Sequence, residues 1–278
     1  MLTLITRMAG ILLLAATFAI TISCEDTTGN DTIDLQTELE ERFQGAQEAL
    51  NFTMPFLESI TMTTSTVASG MGQLNKSQTP SDTLFSGCPV VTWDRVNNFL
   101  IDYGENGCTG PNGGFHSGQI ALNGGIQNAQ LIVNANFQNF TARDFTLNGD
   151  LSLTATLEEI TAQIVNGQVS RGADTTTINA NFTVNYDLNG TLGDPHDDSY
   201  TVEGTATVIA PNGKTYQLEV LTPLSILGTC SYPVEGIVRI SDGIFEATVD
   251  FFPNNGECDD IFVIDIGGIK RTIRFADL

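Results

Sequence analysis

INANFTVNYDL, residues 178–188, decides how this chain folds. Apolar and polar side chains alternate at every position of this stretch. Side chains on a β-strand point by turns to the two faces of a sheet, so strict alternation indicates a strand with one buried face and one wet face. The same pattern occurs in residues 151–157 and, apart from the apolar Ile132, in residues 131–137. From residue 88 onward we therefore expect antiparallel strands.

Asn-Gly and Asp-Gly pairs punctuate the alternating stretches. Both kinds of pair accept the positive φ angles that tight hairpin turns require. They occur at Asn112-Gly113, Asn148-Gly149, Asn166-Gly167, Asn189-Gly190, Asn212-Gly213 and Asp242-Gly243. The sequence therefore predicts an all-β fold, a large antiparallel meander of about a dozen strands joined to their neighbours in order. A sheet of this size must curl or fold over, and the sequence leaves sandwich, barrel and half-barrel open.

One N-terminal helix is expected before the sheet. Apolar residues recur near the helical period of 3.6 and form one stripe: Leu35, Leu39, Phe43, Ala46 and Leu50. Pro55 is expected to end this helix, because proline lacks the backbone N–H of a helix interior. We therefore expect a helix over residues 34–60, a loop-rich linker over residues 61–87 and the antiparallel β domain over residues 88–278.

The first 23 residues have the composition of an export signal. Arg7 supplies a positive charge, residues 8–22 are apolar, and the small residue Ser23 precedes Cys24. The apolar run is shorter than the ~20 residues that a bilayer core requires, which argues against a membrane span. We therefore expect a signal peptide over residues 1–23 and an acidic tether over residues 24–33. The alternative is an ordinary signal that is cut after Ala19 and leaves Cys24 free.

The end of this leader, Ser23-Cys24, resembles the lipobox of bacterial lipoproteins. The resemblance implies that the leader is cut before Cys24 and that the Cys24 thiol carries a diacylglycerol that anchors the chain in a membrane. Thr21 departs from the family pattern, which prefers Leu three residues before the cysteine. The acidic pair Glu25-Asp26 resembles the surface-export signal of Bacteroidota-type lipoproteins. The expected location is the cell outer membrane, lipid-anchored and at its outer surface, with the periplasm or the medium as the alternative.

Four further cysteines remain after Cys24. An even number in an exported protein indicates two disulfides, and four cysteines allow three pairings. The local pairs, Cys88–Cys108 and Cys230–Cys258, are favoured because each pair encloses strand sequence that ends in a Gly-containing turn. The chain has no CxxC pair, so a zinc site is not expected.

Two groups of motifs lie between Cys88 and the C-terminus. The first comprises Cys88-Pro89, Ile101-Asp102-Tyr103-Gly104, Gly107-Cys108, Asn112-Gly113 and Ser117-Gly118-Gln119-Ile120. The second comprises Cys230, Val234, Gly236, Val249-Asp250 and Cys258-Asp259. Together these motifs resemble uncharacterised β-rich lipoproteins of Bacteroidota-type bacteria. The resemblance implies an exported β domain and brings no activity, cofactor or catalytic residue with it.

The charge of the chain excludes one class of partner. The formal net charge is −22 and the isoelectric point is near 4.1. Nucleic-acid binding requires clustered Lys and Arg, so no nucleic-acid partner is expected. The two histidines, His116 and His196, lie in no hydrolase motif, and the sequence has no Gly-x-Ser-x-Gly. We therefore expect a protein that is not an enzyme and has no cofactor.

An acidic turn offers the one candidate metal site. Asp194, Asp197 and Asp198 are carboxylates of the kind that bind calcium, but their spacing fits no EF-hand loop and a solvated acidic turn is the simpler explanation. The expected function is a lipid-anchored cell-envelope or surface protein with a binding or structural role. The alternatives are a carrier of lipid or another apolar ligand, and a glycan-binding or adhesion module. The partner beyond the membrane itself, whether protein, glycan or lipid, stays open.

Overall fold

The computed structural model describes residues 35–73, 82–94, 98–110, 112–127, 130–156, 159–187, 189, 196–252 and 256–277. The expected signal peptide, the tether, Cys24 and Asp194 lie outside these residues. Within them, no helix carries an apolar run long enough to cross a bilayer.

One helix and fourteen strands make up the regular structure of the residues described above. The helix is α1 (Leu35–Gln73), and a single turn of 3₁₀ helix over Phe275–Asp277 follows the last strand. The strands are β1 (Asp82–Ser86), β2 (Val90–Trp93), β3 (Asn98–Thr109), β4 (Phe115–Gln127), β5 (Gln130–Ala142), β6 (Phe145–Ala155), β7 (Glu159–Arg171), β8 (Asp174–Asp187), β9 (Ser199–Ile209), β10 (Thr215–Leu227), β11 (Glu235–Ser241), β12 (Glu246–Asp250), β13 (Ile261–Ile266) and β14 (Ile269–Arg274).

All fourteen strands belong to one sheet whose spatial order is the chain order, β1 to β14. Every neighbouring pair is antiparallel, as between β7 and β8, where Ala162 lies opposite Phe182. The expected all-β antiparallel meander with one N-terminal helix is therefore confirmed. Because the strands form a single sheet with β1 and β14 at the ends of the order, the two-sheet sandwich is excluded.

The sheet curls around α1. The helix packs against β1, β5 to β9, β11 and β13, which lie far apart in the strand order. Every residue from 52 to 61 is buried, and a helix can bury all of its faces only when it is surrounded. The predicted stripe does enter the core at Phe43, Ala46 and Leu50. Beyond residue 50, α1 lies inside the curled sheet, with strands on several sides of it.

The expected end of the helix near Pro55 is wrong. α1 continues through Pro55 to Gln73, and the segment expected to be a loop-rich linker over residues 61–87 supplies the last turns of α1 and the whole of β1. Hydroxyl groups satisfy carbonyl oxygens along the helix: the Ser59 hydroxyl donates to the Pro55 carbonyl and the Thr63 hydroxyl to the Ser59 carbonyl, both at 2.7 Å. Burial inside the sheet thus holds a Thr-rich segment helical against its low intrinsic propensity.

Two of the six predicted turns are also wrong. Asn148-Gly149 lies within β6 and Asn166-Gly167 within β7, and the pairing register of these two strands shifts beside both pairs. The positive φ angles, 112° at Gly149 and 52° at Asn166, serve facing bulges rather than turns. A Cβ atom on Gly167 would lie 2.7 Å from the Phe56 ring, so the bulge brings β7 against α1.

Candidate functional site

A carboxylate from the middle of α1 lies inside the core. Glu58 occupies the buried face of the helix two turns beyond Leu50, and its side chain is 7% exposed. Oε1 of Glu58 lies 3.0 Å from Nε2 of His116, at the start of β4, and accepts a hydrogen bond from the Asn112 amide. Oε2 of Glu58 lies 3.8 Å from Nη2 of Arg143. We call Glu58, Asn112, His116 and Arg143 the Glu58 cluster.

The Glu58 cluster keeps its carboxylate charged although it is buried. Burial raises the pKa of Glu58, since an apolar interior disfavours the ionised form. The hydrogen bond and the charge of His116, with Arg143 and Asn112, outweigh burial, so the pKa of Glu58 is lowered from its ordinary value of 4.5. The Glu58 carboxylate therefore lies among hydrogen-bonding and basic neighbours rather than isolated in the core.

Aromatic rings enclose the histidine. His116 is fully buried, with ring centroids 4.8 Å from Tyr103 and 5.9 Å from Phe140. Burial, followed by the charge of Glu58, raises the pKa of Tyr103. Nδ1 of His116 and the hydroxyl of Tyr103 have no hydrogen-bond partner among the described residues. Because the rings exclude solvent from His116, a substrate has no direct approach to it in this conformation.

Arg143 links the cluster to the C-terminal strands. Its guanidinium donates a hydrogen bond to the Tyr232 hydroxyl, another to the Ser231 carbonyl at 3.1 Å, and lies 4.1 Å from the centroid of the Tyr232 ring. Tyr232 in turn stacks on Phe275, with ring centroids 3.8 Å apart and planes inclined by 5°. One polar group thus joins α1, the β5–β6 turn and the loop between β10 and β11.

A second buried carboxylate lies further along α1. Oδ2 of Asp198 accepts hydrogen bonds from the Ser65 hydroxyl at 2.6 Å and from the Tyr200 hydroxyl at 2.9 Å. Burial and then the charge of Asp198 raise the pKa of Tyr200. A cavity of about 30 Å³, room for a water molecule or two, is lined in part by Glu58 and by Tyr200, the tyrosine that donates to Asp198. The Glu58 cluster and the hydrogen bonds to Asp198 both attach α1 to the sheet.

The candidate calcium site receives no support from the described residues. Asp198 is 3% exposed and points into the core, where it accepts two hydroxyl hydrogen bonds. Asp197 is half-buried, and Asp194 lies outside the described residues. In the part of the chain that the structure describes, no group of three His, Cys, Asp or Glu side chains is placed to hold a metal ion.

A wide opening lies on the outer face of the sheet. A cleft of about 520 Å³ runs across β2 to β6, and we call it the β2–β6 cleft. Most residues that line it alternate with core residues along their strands, so their side chains point away from α1. These outward residues are Thr92, Asp94, Asn98, Leu100, Ala121, Asn123, Asn134, Asn136 and Asp150.

The lining forms two cross-strand rows. Half-buried Leu100 and Ala121 make a short apolar floor in one row, which continues into Asn136 and Asp150. In the second row Asn98 lies opposite Asn123, and the Asn123 amide donates to the Asn98 side-chain oxygen at 2.6 Å. The rows present amide and carboxylate groups at strand spacing, about 4.8 Å apart across the sheet.

Two disulfides close the loops that flank these sites. Cys88 joins Cys108 and Cys230 joins Cys258, with Cα atoms 6.0 Å and 5.3 Å apart. The expected local pairing is therefore confirmed. Cys88–Cys108 clips the start of β2 to the end of β3, and Cys230–Cys258 clips the loop beside Tyr232 to the loop before β13.

The sequence carried a signal for Glu58 that the expected helix boundary hid. Glu58 lies eight residues after Leu50 and therefore continues the apolar stripe, where a charged residue indicates a buried polar contact. No comparable signal marks Arg143 or the β2–β6 cleft, because strand order and sheet curvature bring their parts together. Comparison of the chain with protein-family models, with curated proteins and with solved structures gave no match.

Proposed function

We propose that this chain is a lipid-anchored protein of the cell envelope with a binding or structural role and no enzymatic activity. The leader that ends at Ser23-Cys24 supports the anchor, and the two disulfides agree with an oxidising, extracytoplasmic compartment. The likeness to β-rich lipoproteins of Bacteroidota-type bacteria favours the outer membrane as the location. Cys24 is the residue that carries the lipid.

The non-enzymatic part of the proposal is supported by the state of the titratable groups. Glu58 and His116 form the pair that most resembles an acid–base site, and His116 is enclosed by Tyr103 and Phe140. A general acid or base must come within hydrogen-bond reach of its substrate. In this fold the contact between Glu58 and His116 joins α1 to the sheet, and its role is to hold the helix in place.

The observation that carries the binding role is the β2–β6 cleft. The interior of the curled sheet is occupied by α1, and the pockets beside the helix include ones of only about 30 and 20 Å³. A carrier would therefore have to release α1 before it could hold a lipid inside the sheet. The cleft, at about 520 Å³, is large enough for a small ligand without that rearrangement.

A glycan is the ligand class that the cleft favours. Neutral sugars are bound by amide and carboxylate side chains that exchange hydrogen bonds with hydroxyl groups, and Asn98, Asn123, Asn134 and Asp150 supply such groups. Calorimetric titration with a panel of neutral and acidic oligosaccharides tests this second candidate. Asn123→Ala should weaken binding at least about tenfold, whereas Asn181→Ala, an exposed asparagine on β8, should leave it unchanged. Equal affinities of the two variants would eliminate the cleft as the glycan site.

Membrane fractionation tests the anchor. The parent chain and Cys24→Ala are expressed in a Gram-negative host, and each is located by separating membranes from soluble fractions. The parent should sediment with the membranes, and mass spectrometry of its first peptide should show a diacylglycerol on Cys24. Cys24→Ala should be soluble. A variant that stays in the membrane fraction to the same extent as the parent would refute lipidation at Cys24.

A further inference from the structure

Of the large apolar side chains that the structure describes, the two most exposed lie at one end of the fold. Others are exposed singly elsewhere, at 41–52%: Val90, Phe115, Val165, Leu221 and Phe252. Ile244 is 81% exposed, Leu35 is 79% exposed and Ile269 is 49% exposed. Single exposed apolar residues are common on protein surfaces, but these occupy hairpin tips and a helix end that the topology brings together.

The hairpin tips lie at the same end of their strands. β11 and β12 pair as far as Ser241 and Glu246, which leaves Ile244 in the tip of their hairpin. β13 and β14 pair as far as Ile266 and Ile269. Because Thr248 of β12 lies opposite Asp265 of β13, both tips lie at the same end of these strands.

The next hairpin and the start of α1 lie at this end too. The β9–β10 tip follows Ile209, which pairs with Thr215 and is 40% exposed. Arg271, two residues after Ile269, forms an ion pair with Glu40 at 2.7 Å and lies 4.0 Å from the Phe43 ring centroid. The first residues of α1, which include Leu35, are exposed beyond these contacts. We call this end the N-terminal pole, defined by Leu35, Ile209, Ile244 and Ile269.

Basic side chains are exposed at the hairpin tips of the pole. Lys214 and Lys270 are exposed beside the tips of their hairpins. The acidic tip residues turn back to the backbone: Oδ1 of Asp242 accepts from the N–H groups of Ile244 and Phe245, and Oδ1 of Asp265 accepts from the N–H of Gly268. Of the acidic side chains near the tips and in the first turns of α1, Glu246 is paired with Arg239, Glu38 with Arg42 and Glu40 with Arg271, whereas Glu41 is exposed. Lys270 forms an ion pair with Asp265 at 3.8 Å. The tips themselves present Ile244, Ile269, Lys214 and Lys270, and apolar and basic side chains together bind at a lipid–water interface.

We propose that the N-terminal pole rests on the lipid bilayer, with Ile244 and Ile269 inserted among the headgroups. This inference rests on the proposed anchor at Cys24. Residues 25–34 join that cysteine to Leu35, and even fully extended they span at most about 35 Å. The anchor therefore tethers the chain to the membrane at this pole, within that distance. The occupant of the apolar surface is a phospholipid bilayer.

This orientation directs the β2–β6 cleft away from the membrane. β10 begins at the pole and runs parallel to α1, from Tyr216 beside Gly45 to the Asp198 end beside Ser65. β4 runs in the same direction, starts beside Glu58 in the middle of α1 and reaches the cleft at Ala121 and Asn123. The cleft therefore lies beyond the middle of the helix, on the side remote from the lipid.

Depth-dependent fluorescence quenching tests the orientation. The full chain is expressed with its leader, purified in detergent and reconstituted into phosphatidylcholine vesicles with or without bromine on the acyl chains near the headgroup. Tryptophan is introduced as Ile244→Trp, as Ile269→Trp and, for a matched control, as Val165→Trp, which is 52% exposed on β7. The signal of the parent chain, which contains Trp93, is subtracted.

Brominated lipid should reduce the emission of the tryptophans at positions 244 and 269 about twofold and should leave that at position 165 unchanged. Flotation of the same vesicles separates the two proposals. A chain that does not float with the vesicles overturns the anchor and the orientation with it. A chain that floats, but whose tryptophans at positions 244 and 269 are quenched no more than the control, overturns the orientation alone.

Discussion

Oε1 of Glu58 lies 3.0 Å from Nε2 of His116, and this contact joins the middle of α1 to the start of β4. Both side chains are almost completely buried, at 7% and 1% exposure. Residues so distant in the chain meet only after the sheet has curled around the helix. The contact between Glu58 and His116 therefore forms only when the whole fold has closed.

Glu58→Ala should destabilise the fold by about 3–5 kcal/mol, because removing one partner leaves buried polar and charged groups without their counterpart. Urea unfolding of the purified domain measures the change in the free energy of unfolding. The control is Glu38→Ala, which removes a partly exposed i,i+4 pair with Arg42 and should cost less than about 0.5 kcal/mol. Equal losses in the two variants would show that the Glu58 cluster does not stabilise the core.

The stability of the fold should fall with acidity because of Glu58. Its pKa is lowered in the folded state, so the stability that it contributes is present above the ordinary value of 4.5 and is lost as the pH falls through the lower folded value. Urea midpoints measured from about pH 6 down to about pH 3 should decline less steeply for Glu58→Gln than for the parent chain. Parallel curves would mean that other carboxylates cause the decline.

Gly45→Ala should destabilise α1, although alanine is ordinarily the better helix former by about 1 kcal/mol. A Cβ atom at position 45 would lie 2.7 Å from the Tyr216 hydroxyl oxygen, and Tyr216 is 1% exposed. We expect a net loss of about 1–2 kcal/mol from overpacking. In a Tyr216→Phe background, which removes the clashing oxygen, the same substitution should cost clearly less. A double-mutant cycle by urea unfolding measures the difference, and additive effects would contradict the proposed clash.

Each disulfide should stabilise the fold by about 3 kcal/mol, since the closed loops are of similar length, with 20 and 28 residues of sequence separation. Cys88→Ser/Cys108→Ser and Cys230→Ser/Cys258→Ser can be compared by thermal unfolding with the parent chain under oxidising conditions. Under reducing conditions the parent should lose the sum of both contributions. A double variant as stable as the oxidised parent would show that its disulfide does not constrain the unfolded chain.

The sequence by itself determined the antiparallel strands from residue 88 onward, the order in which they pair and the two disulfides. Alternation such as that of residues 178–188 is local, and short connections leave consecutive antiparallel strands as neighbours. The cysteine pairs were predictable for the same reason, because each pair flanks adjacent strands. The buried position of Glu58 was also within reach, since it continues the apolar stripe of α1.

The tertiary structure alone decided how far α1 extends and what it touches. Pro55 and the Thr-rich segment after it have poor helix propensity, and only burial inside the sheet outweighs that propensity. Asn148-Gly149 and Asn166-Gly167 accept positive φ angles, which both hairpin turns and β-bulges require. The curvature of the sheet around Phe56 therefore decides that these pairs form bulges and not turns. The meeting of Glu58 with His116 and Arg143, the β2–β6 cleft and the N-terminal pole all depend on that curvature, which no local pattern encodes.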